Sequence, residues 1–177
     1  MKITNVSEMD KRHIALDGCT VTFNGAVMDL MNPDPDIINL DDIAHGLAYN
    51  CRWNGATKKY YSIAEHCLRV ATRCGEDRDR YLSGLFHDAE EAYWSDIISP
   101  LKALIRVQAP DILKKMEDMR LLIFDKYHLK YIDVSKEDSG ELVWEFENLI
   151  LTDQAPTMTI GMAQRSWRFE AKEFLNQ

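Results

Sequence analysis

The chain has 177 residues, of which 46% are hydrophobic and 28% charged, as is typical of one globular domain with a single core. Its formal net charge of -8 argues against a nucleic-acid polymer as the main partner, because a phosphate backbone is bound by a basic surface. A small nucleotide is not excluded, since a local cluster of cations or a divalent metal ion can hold one small anion. No apolar run approaches the roughly 18 to 20 residues that span a bilayer.

The first ten residues and the cysteines bear on the cell compartment. Residues 1–10 mix charged and polar side chains and lack the apolar segment of a signal peptide, which predicts a cytoplasmic protein. The cysteines form no Cys-x-x-Cys pair and are expected to be reduced packing residues rather than disulfides or zinc ligands. They are Cys19, Cys51, Cys67 and Cys74.

The first predicted elements are a hairpin, a loop and a helix. The alternating stretch 20–23 and the Asn-Gly pair after it predict a short β-hairpin. Residues 32–36 contain two prolines and predict a loop. Asn39 is a suitable N-cap for the amphipathic helix that follows.

Helices are predicted over most of the remaining chain. Ser62 and Glu65 form a capping-box pattern, which begins a helix that ends near Arg73. The spacing of apolar residues predicts further helices over about 79–93, 111–127, 137–154 and 167–175. With no internal repeat or linker, the sequence predicts one mostly α domain, a helical bundle with a small N-terminal β-hairpin.

One of these helices carries titratable side chains within an apolar segment. His87 and Asp88 are adjacent there, and burying two such groups is costly unless they are paired or bound to a metal ion. Glu91 lies one turn after His87 on the same face, and Asp96 lies just past the predicted helix end. His66 lies one turn into the preceding helix. The segment therefore offers several groups that could meet at one site.

Imidazole and carboxylate together suit a borderline divalent ion such as Co²⁺, Mn²⁺, Fe²⁺ or Zn²⁺. Taken singly, each residue has a simpler explanation. His87 and Asp88 could be a surface pair, and His66 could be a core histidine. The whole set, with Glu91 and Asp96 at this spacing, favours a metal site over that explanation.

The same residues belong to a longer series of motifs that resembles the HD-domain phosphohydrolases. The motifs are Asn32-Pro33, Asp42-Ile43-Ala44-His45, Arg52-Trp53-Asn54-Gly55, Tyr61-Ser62-Ile63-Ala64-Glu65-His66, Leu85-Phe86-His87-Asp88-Ala89-Glu90-Glu91-Ala92, Asp96 and Ser99-Pro100-Leu101-Lys102. The resemblance covers residues 18–158 and is closest to the small branch with bacterial 5′-deoxyribonucleotidases and phage dATP triphosphohydrolases. It implies an HD-domain helical bundle.

The resemblance also implies a catalytic divalent metal ion with four protein ligands. His66, His87 and Asp88 match three of them. The fourth should be an acidic residue on a later helix, usually Asp in the pattern Val-x-x-x-Asp-x-Leu. Glu147 matches that position, although its side chain is one methylene longer, and Asp153 is the competing candidate. We expect Glu147 to be the fourth ligand.

In that family the residues that match Glu91 and Asp96 lie over the metal site. They would orient the attacking water, protonate the leaving oxygen, or hold additional Mg²⁺ or Mn²⁺ ions against the phosphates. Two unpaired carboxylates beside an anionic substrate would repel it, so a proton or a metal ion must lie between them.

Substrate-binding residues follow from the same resemblance. Arg52 and Lys102 would bind phosphate oxygens, Arg52 through its bidentate fork and Lys102 as a point charge, unless both are merely solvent-exposed. Trp53 would pack on the sugar or base, with a core position as the alternative. Gly55 would leave space beside the base.

The expected activity is hydrolysis of a small 2′-deoxynucleotide, first of all a dNTP such as dATP, with deoxynucleoside and triphosphate as products. A 5′-deoxyribonucleotidase acting on monophosphates is the main alternative. A cyclic-nucleotide or alarmone hydrolase of the wider HD superfamily and a non-catalytic nucleotide-binding HD module are further alternatives. The resemblance also favours a homo-oligomer, for which residues 111–127 offer an apolar face, and, if the chain is phage-encoded, the host cytoplasm.

Overall fold

The β-hairpin is present in the computed structural model, which describes residues 18–152 and 155–176. Strands β1 (Cys19–Val21) and β2 (Val27–Asp29) pair antiparallel, with Thr20 opposite Met28. Gly25 in the turn between them has a φ of 80°, a left-handed conformation that glycine adopts without strain. The prediction for residues 1–10 lies outside the described residues.

Helices make up most of the described structure, so the predicted fold class, mostly α with a small N-terminal hairpin, is confirmed. Asn39 and Ser62 are the predicted N-caps, and each side chain accepts a hydrogen bond from the third backbone N–H that follows. The helices are α1 (Leu40–Tyr49), α2 (Ile63–Arg73), α3 (Arg78–Phe86), α4 (Glu91–Trp94), α5 (Ser99–Gln108), α6 (Pro110–Lys126), α7 (Ser135–Glu145) and α8 (Ile160–Leu175).

Helix α2 lies at the centre and contacts α1, α3, α7 and α8. Its contact with α3 is unusually close, because Gly84 on α3 faces Ala71 on α2. A Cβ atom added at Gly84 would lie only 2.9 Å from the Cα atom of Ala71, so the glycine is required for this approach. The close contact brings His66 on α2 near the end of α3, where His87 follows.

The main apolar core lies on the side of α2 that faces α3 and α8. Trp167 of α8 is fully buried there, its indole N–H donates to the carbonyl of Leu85 at 3.0 Å, and its ring packs on Phe86. Burying a large apolar side chain stabilises a fold by about 1.5–3 kcal/mol. Trp167 therefore fixes the end of α3, from which the next residues enter the site.

The structure corrects the prediction of one continuous helix over 79–93. Helix α3 ends at Phe86, a turn follows, and α4 begins at Glu91. The carbonyl of Gly84, which a continuous α-helix would pair with the N–H of Asp88, accepts a hydrogen bond from His87 Nδ1 at 2.8 Å. The break therefore occurs at the titratable residues themselves.

Three other helix boundaries differ from the prediction. Helix α5 was not predicted, and Pro100 lies in its first turn, where proline is well tolerated. Helix α7 ends at Glu145 and continues as a π-helical segment, Phe146–Leu151. Helix α8 begins at Ile160, several residues before the predicted start, because Thr159 caps it.

The apolar face of α6 is covered within the chain itself. Met119, Ile123 and Phe124 belong to the main core, so the face predicted to mediate oligomer formation is largely occupied. Leu121 of α6 is exposed, and Leu104 and Val107 on α5 are more exposed still. Across the described residues no helix is both long and apolar enough to cross a membrane.

Candidate metal centre and adjoining cleft

Two imidazoles and two carboxylates converge above the close contact of α2 and α3. The Nε2 atoms of His66 and His87 are 3.2 Å apart. Asp88 Oδ2 lies 3.5 Å from His66 Nε2 and 3.2 Å from His87 Nε2. Asp138 Oδ1, from α7, lies 3.2 Å and 3.9 Å from the same two atoms. We call these four residues the metal-site cluster.

Hydrogen bonds on the far side of both rings orient the two histidines. His87 Nδ1 lies 2.8 Å from the carbonyl of Gly84, which can only accept, so Nδ1 carries the hydrogen and Nε2 presents its lone pair. His66 Nδ1 lies 2.7 Å from Glu145 Oε1, a carboxylate that favours the same arrangement. Both Nε2 atoms therefore point into the cluster.

The cluster fits a divalent transition-metal ion. Two lone pairs at 3.2 Å, with two carboxylates beside them, repel one another unless a cation or a proton lies between them. Protein ligands of a single such ion, with bonds of about 2.1 Å, lie roughly 3 Å from each other. His66, His87 and Asp88 form a group able to hold a metal ion, and two nitrogens with carboxylate oxygens suit Zn²⁺, Mn²⁺, Co²⁺ or Fe²⁺.

Both carboxylates of the cluster are held in their ionised form. Burial acts to raise the pKa of Asp88, but His87, His66 and Arg52 together hold it well below its ordinary value. Burial also acts to raise the pKa of Asp138, and its hydrogen bond and charge interaction with His66 lower it overall. Deprotonated carboxylates are the form that binds a metal ion.

The residue expected as the fourth metal ligand does not lie with the other three. Glu147, the residue expected there, is exposed to solvent in the π-helical segment after α7. Asp138 lies beside the imidazoles instead, more than two turns earlier, because α7 begins at Ser135 and packs against α2 from its first turns. The competing candidate, Asp153, lies outside the described residues.

Two signals in the sequence point to Asp138, which was not among the predicted ligands. Val134 and Asp138 also match the first part of the pattern Val-x-x-x-Asp-x-Leu, which fails only where Gly140 replaces the leucine. In addition, Asp138, Glu141 and Glu145 follow the i, i+3, i+7 spacing of one helix face. That face is turned inward, since Glu141 and Glu145 are buried.

Glu145 was not among the predicted site residues, yet its carboxylate lies beside three of them, His66, Trp53 and Arg52. Its Oε2 accepts a hydrogen bond from Trp53 Nε1 at 2.7 Å, and Arg52 Nη2 lies 3.7 Å from the same oxygen. Burial acts to raise the pKa of Glu145, but the hydrogen bond to His66 and the charge of Arg52 outweigh it and lower the pKa. Glu145 is thus a buried, ionised carboxylate beside the metal-site cluster.

Arg52 lies at the edge of the cluster rather than in solvent. Its guanidinium is 3.6 Å from Asp88 and 3.9 Å from Asp96, and the residue is only 8% exposed. Its Nε has no hydrogen-bond partner among the described residues. Arg52 is therefore a largely buried cation in the wall of the cleft, held beside the carboxylates of Asp88 and Glu145.

The turn around Arg52 has an uncommon backbone. Trp53 and Asn54 have φ values of 57° and 53°, and Gly55 has a φ of 77°. Non-glycine residues rarely adopt this region, so other contacts must hold the turn in place. Trp53 lines the cleft beside the cluster, whereas Gly55 is not among the residues that line it.

Glu91, Asp96 and Lys102 lie on the opposite side of the cluster from α7. Lys102 Nζ donates to Glu91 Oε1 at 3.1 Å, while Glu91 Oε2 is buried and has no partner among the residues described. Burial and the nearby Asp88 raise the pKa of Glu91 well above its ordinary value. Burial also raises the pKa of Asp96, against the charge of Arg52. Both carboxyls are thus shifted toward the protonated form.

A cleft of about 410 Å³ opens onto the metal-site cluster. It has an apolar side and a charged side, as is common in sites for small molecules. The apolar wall comprises Trp53, Ile97, Ile98, Pro100 and Leu142, and the charged wall comprises Arg52, Asp88, Asp96, Lys102 and Asp138.

A second cavity of about 230 Å³ lies on the other side of the cluster. The two cavities share Asp88, Lys102 and Asp138, so the cluster forms part of the wall between them. The second cavity is lined largely by polar groups, and Arg120 adds another cation to it.

Comparison with known proteins gives partial matches. An uncharacterized protein of Rhodobacter capsulatus is 43% identical to the chain over 89 residues, which are 46% of the chain and 45% of that protein. The uncharacterized protein YfdR of Escherichia coli is 37% identical over 112 residues, which are 61% of the chain and 57% of YfdR. The chain thus spans about half the length of the curated relatives it matches. No protein-family model matches it.

Proposed function

We propose that the protein is a metal-dependent phosphohydrolase of the HD type that acts on a small 2′-deoxynucleotide. The observation that carries this proposal is the convergence of His66, His87, Asp88 and Asp138 beside a cleft with both apolar and cationic walls. These four residues would hold the divalent ion. When bound, such an ion supplies positive charge against a phosphate group and makes water easier to deprotonate.

Arg52 and Lys102 support binding of a phosphorylated substrate. Both line the cleft next to the cluster, and the guanidinium of Arg52 can bind two phosphate oxygens at once. Arg52 lies within ion-pair distance of Asp88, and Lys102 donates a hydrogen bond to Glu91, so each cation is held close to the reacting group. In this proposal these two cations and the divalent ion would hold the phosphates of a nucleotide on a chain of net charge -8.

Glu91 and Asp96 support proton transfer. Their pKa values are raised mainly by burial, so each can hold a proton that an exposed carboxyl would lose. A protonated carboxyl beside the phosphate can donate to the leaving 5′ oxygen, and the resulting carboxylate can then take a proton from water. The reaction is dATP plus water giving deoxyadenosine plus triphosphate.

The apolar wall of the cleft supports a nucleoside as the rest of the substrate. Trp53, Ile98 and Leu142 offer a surface on which a base or sugar can pack. A 2′-deoxy sugar packs against such a wall without leaving a hydroxyl unpaired, whereas a ribose would bury one more polar group. This is the basis on which we propose selection of deoxynucleotides.

The second cavity favours a triphosphate over a monophosphate. A triphosphate chain extends beyond the bond that is cleaved, and the cavity on the far side of the cluster provides about 230 Å³ with Lys102 and Arg120 in its wall. A monophosphate would need no such space. A 5′-deoxyribonucleotidase is the alternative that the substrate panel below distinguishes.

The test is a panel of dNTPs, dNMPs and the matching ribonucleotides, each incubated with Co²⁺, Mn²⁺ or Mg²⁺, with products separated by chromatography. We expect deoxynucleoside and triphosphate from a dNTP, with dATP the best substrate and ribonucleotides cleaved poorly. Inorganic phosphate released from dNMPs alone would favour the monophosphatase. No hydrolysis of any member with any of these ions would contradict the proposal.

A further inference from the structure

The carboxylate of Glu145 connects the metal-site cluster with the Arg52-Trp53 turn. Glu145 is completely buried, and its two oxygens have different partners. Oε1 lies 2.7 Å from His66 Nδ1, and Oε2 accepts from Trp53 Nε1 at 2.7 Å. The partners come from helix α2 and from the turn before it, while Glu145 ends helix α7.

The bond to Trp53 fixes which atoms donate. An indole N–H can only donate, so Glu145 Oε2 accepts, and the cation of Arg52 at 3.7 Å stabilises the negative carboxylate. A negative Oε1 then requires a hydrogen on His66 Nδ1. In the neutral ring Nε2 is then left with its lone pair, and this atom lies 3.2 Å from both His87 Nε2 and Asp138 Oδ1.

We propose that Glu145 is a positioning residue that sets the tautomer of His66 for metal binding and holds Trp53 and Arg52 against the same site. This inference rests on the proposed function in that the cluster is taken to bind a metal ion. A carboxylate behind a ligand histidine fixes the orientation of its ring and makes the ligating nitrogen more basic. Removal of such a partner commonly weakens metal binding by about 10- to 100-fold.

The contact with Trp53 extends this role to the cleft. Trp53 and Asn54 have left-handed backbone conformations, which persist only where the surroundings hold them. The hydrogen bond from Trp53 to Glu145 is such a restraint, and it determines how the indole faces the cleft. One side chain therefore couples the shape of the cleft wall to the metal-site cluster.

Helix α7 offers a matched control one turn before Glu145. Glu141 is also buried, at 1% exposure, but its carboxylate accepts from Arg69 Nε at 2.5 Å and from Arg73 Nε at 2.6 Å. Among the described residues its partners are Tyr61 and these two arginines rather than the imidazoles of the cluster, so Glu141→Gln removes a buried charge from the same helix without touching His66. Any effect common to both variants reflects loss of a buried carboxylate alone.

The first experiment measures Co²⁺ affinity of metal-free full-length protein by competition with a chromophoric chelator. We expect Glu145→Gln to bind Co²⁺ about 10- to 100-fold more weakly than wild type, and Glu141→Gln to bind it as wild type does. Glu145→Asp, which keeps the charge but withdraws it by one methylene, should also bind more weakly and serves if the glutamine variant does not fold. Wild-type affinity in a folded Glu145 variant, or an equal loss in Glu141→Gln, would overturn the inference.

The second experiment needs no metal ion. Long-range ¹H–¹⁵N spectra of metal-free wild-type protein, in alkaline buffer, should show the hydrogen of His66 on Nδ1, and Glu145→Gln should shift this tautomer equilibrium. A hydrogen on Nε2 in wild type would overturn the inference. If wild type takes up no Co²⁺ but shows the Nδ1 tautomer, the proposed function fails while the positioning role of Glu145 stands.

Discussion

Helix α2 has two interfaces of opposite character. Toward α3 and α8 it is apolar and closely packed, with Ala71 against Gly84 and Trp167 beneath. Toward α7 it is ionic, with Arg69 paired to Glu141 and His66 to Glu145. Apolar burial contributes most of the stability of a fold, whereas buried ion pairs contribute little net stability but are costly when one partner is lost. The first interface therefore fixes the distances between the helices, and the second brings the titratable side chains of α7 to His66.

The largest effect is expected for Asp88→Ala on the ionic side. Removal of this carboxylate takes away a ligand atom within 3.5 Å of both imidazole Nε2 atoms and should abolish metal uptake and turnover together. Metal content by elemental analysis and nucleotide hydrolysis would be measured on the same preparation. Undiminished turnover in metal-replete variant protein would refute the assignment of the site.

The next effect belongs to the apolar side. Trp167→Ala should lower the free energy of unfolding by about 3–5 kcal/mol, because it leaves a large cavity and an unpaired Leu85 carbonyl. Urea denaturation would measure the loss. Phe169→Ala on the same helix is the control, since this ring is 61% exposed and its loss should change stability by less than about 0.5 kcal/mol. Equal losses in the two variants would contradict the described core.

A smaller effect separates Asp138 from Glu147 as the fourth metal ligand. Asp138→Asn should reduce turnover by more than about 100-fold at fixed Co²⁺ concentration, since an amide is a weaker ligand than the carboxylate beside His66. Glu147→Gln should leave turnover unchanged, because Glu147 is exposed outside the cluster. The opposite pattern in steady-state kinetics would restore Glu147 as the ligand.

The smallest effect tests whether the apolar interface controls the ionic one. Gly84→Ala places a Cβ atom 2.9 Å from Ala71 Cα, so α3 must move away, at a cost of about 1–3 kcal/mol in stability. Because His87 follows α3, Co²⁺ affinity should fall with it. Gly140→Ala on α7 is the control, since an added Cβ there meets only Arg73 at 3.8 Å and should stabilise the helix by about 0.4–1 kcal/mol. Thermal unfolding would measure the stability of both variants, and metal titration would measure their Co²⁺ affinity. Unchanged Co²⁺ affinity in a destabilised Gly84→Ala variant would contradict control of the site by this contact.

Local signals in the sequence predicted most element positions. Asn39 and Ser62 begin helices as expected, because an N-cap depends on a hydrogen bond within four residues of the chain. The capping box at Ser62 is only half formed, however. Glu65 accepts instead from the backbone N–H of Met158 at 2.8 Å, a contact across 93 positions that no local pattern contains.

The residues at the metal-site cluster also differ in whether local sequence signals could identify them. His66, His87 and Asp88 could be selected from the sequence, since titratable groups in apolar helices require a special explanation. The motif alone did not separate Asp138 from Glu147, because each departs from it at one position, Gly140 for the leucine and Glu147 for the aspartate. The acidic face that begins at Asp138 gained its meaning from the packing of α7 on α2. Glu145 carried no motif, and its importance comes from contacts with residues 79 and 92 positions away.

The sequence by itself determined the fold class, the helix caps and three residues of the cluster, because spacing along the chain controls hydrogen bonds and faces within one element. The tertiary structure alone decided which carboxylate of α7 reaches the imidazoles and where the helix breaks at His87. Those choices depend on how closely α2, α3 and α7 approach one another. That approach is set by packing at contacts such as Gly84 with Ala71, between residues far apart in the chain.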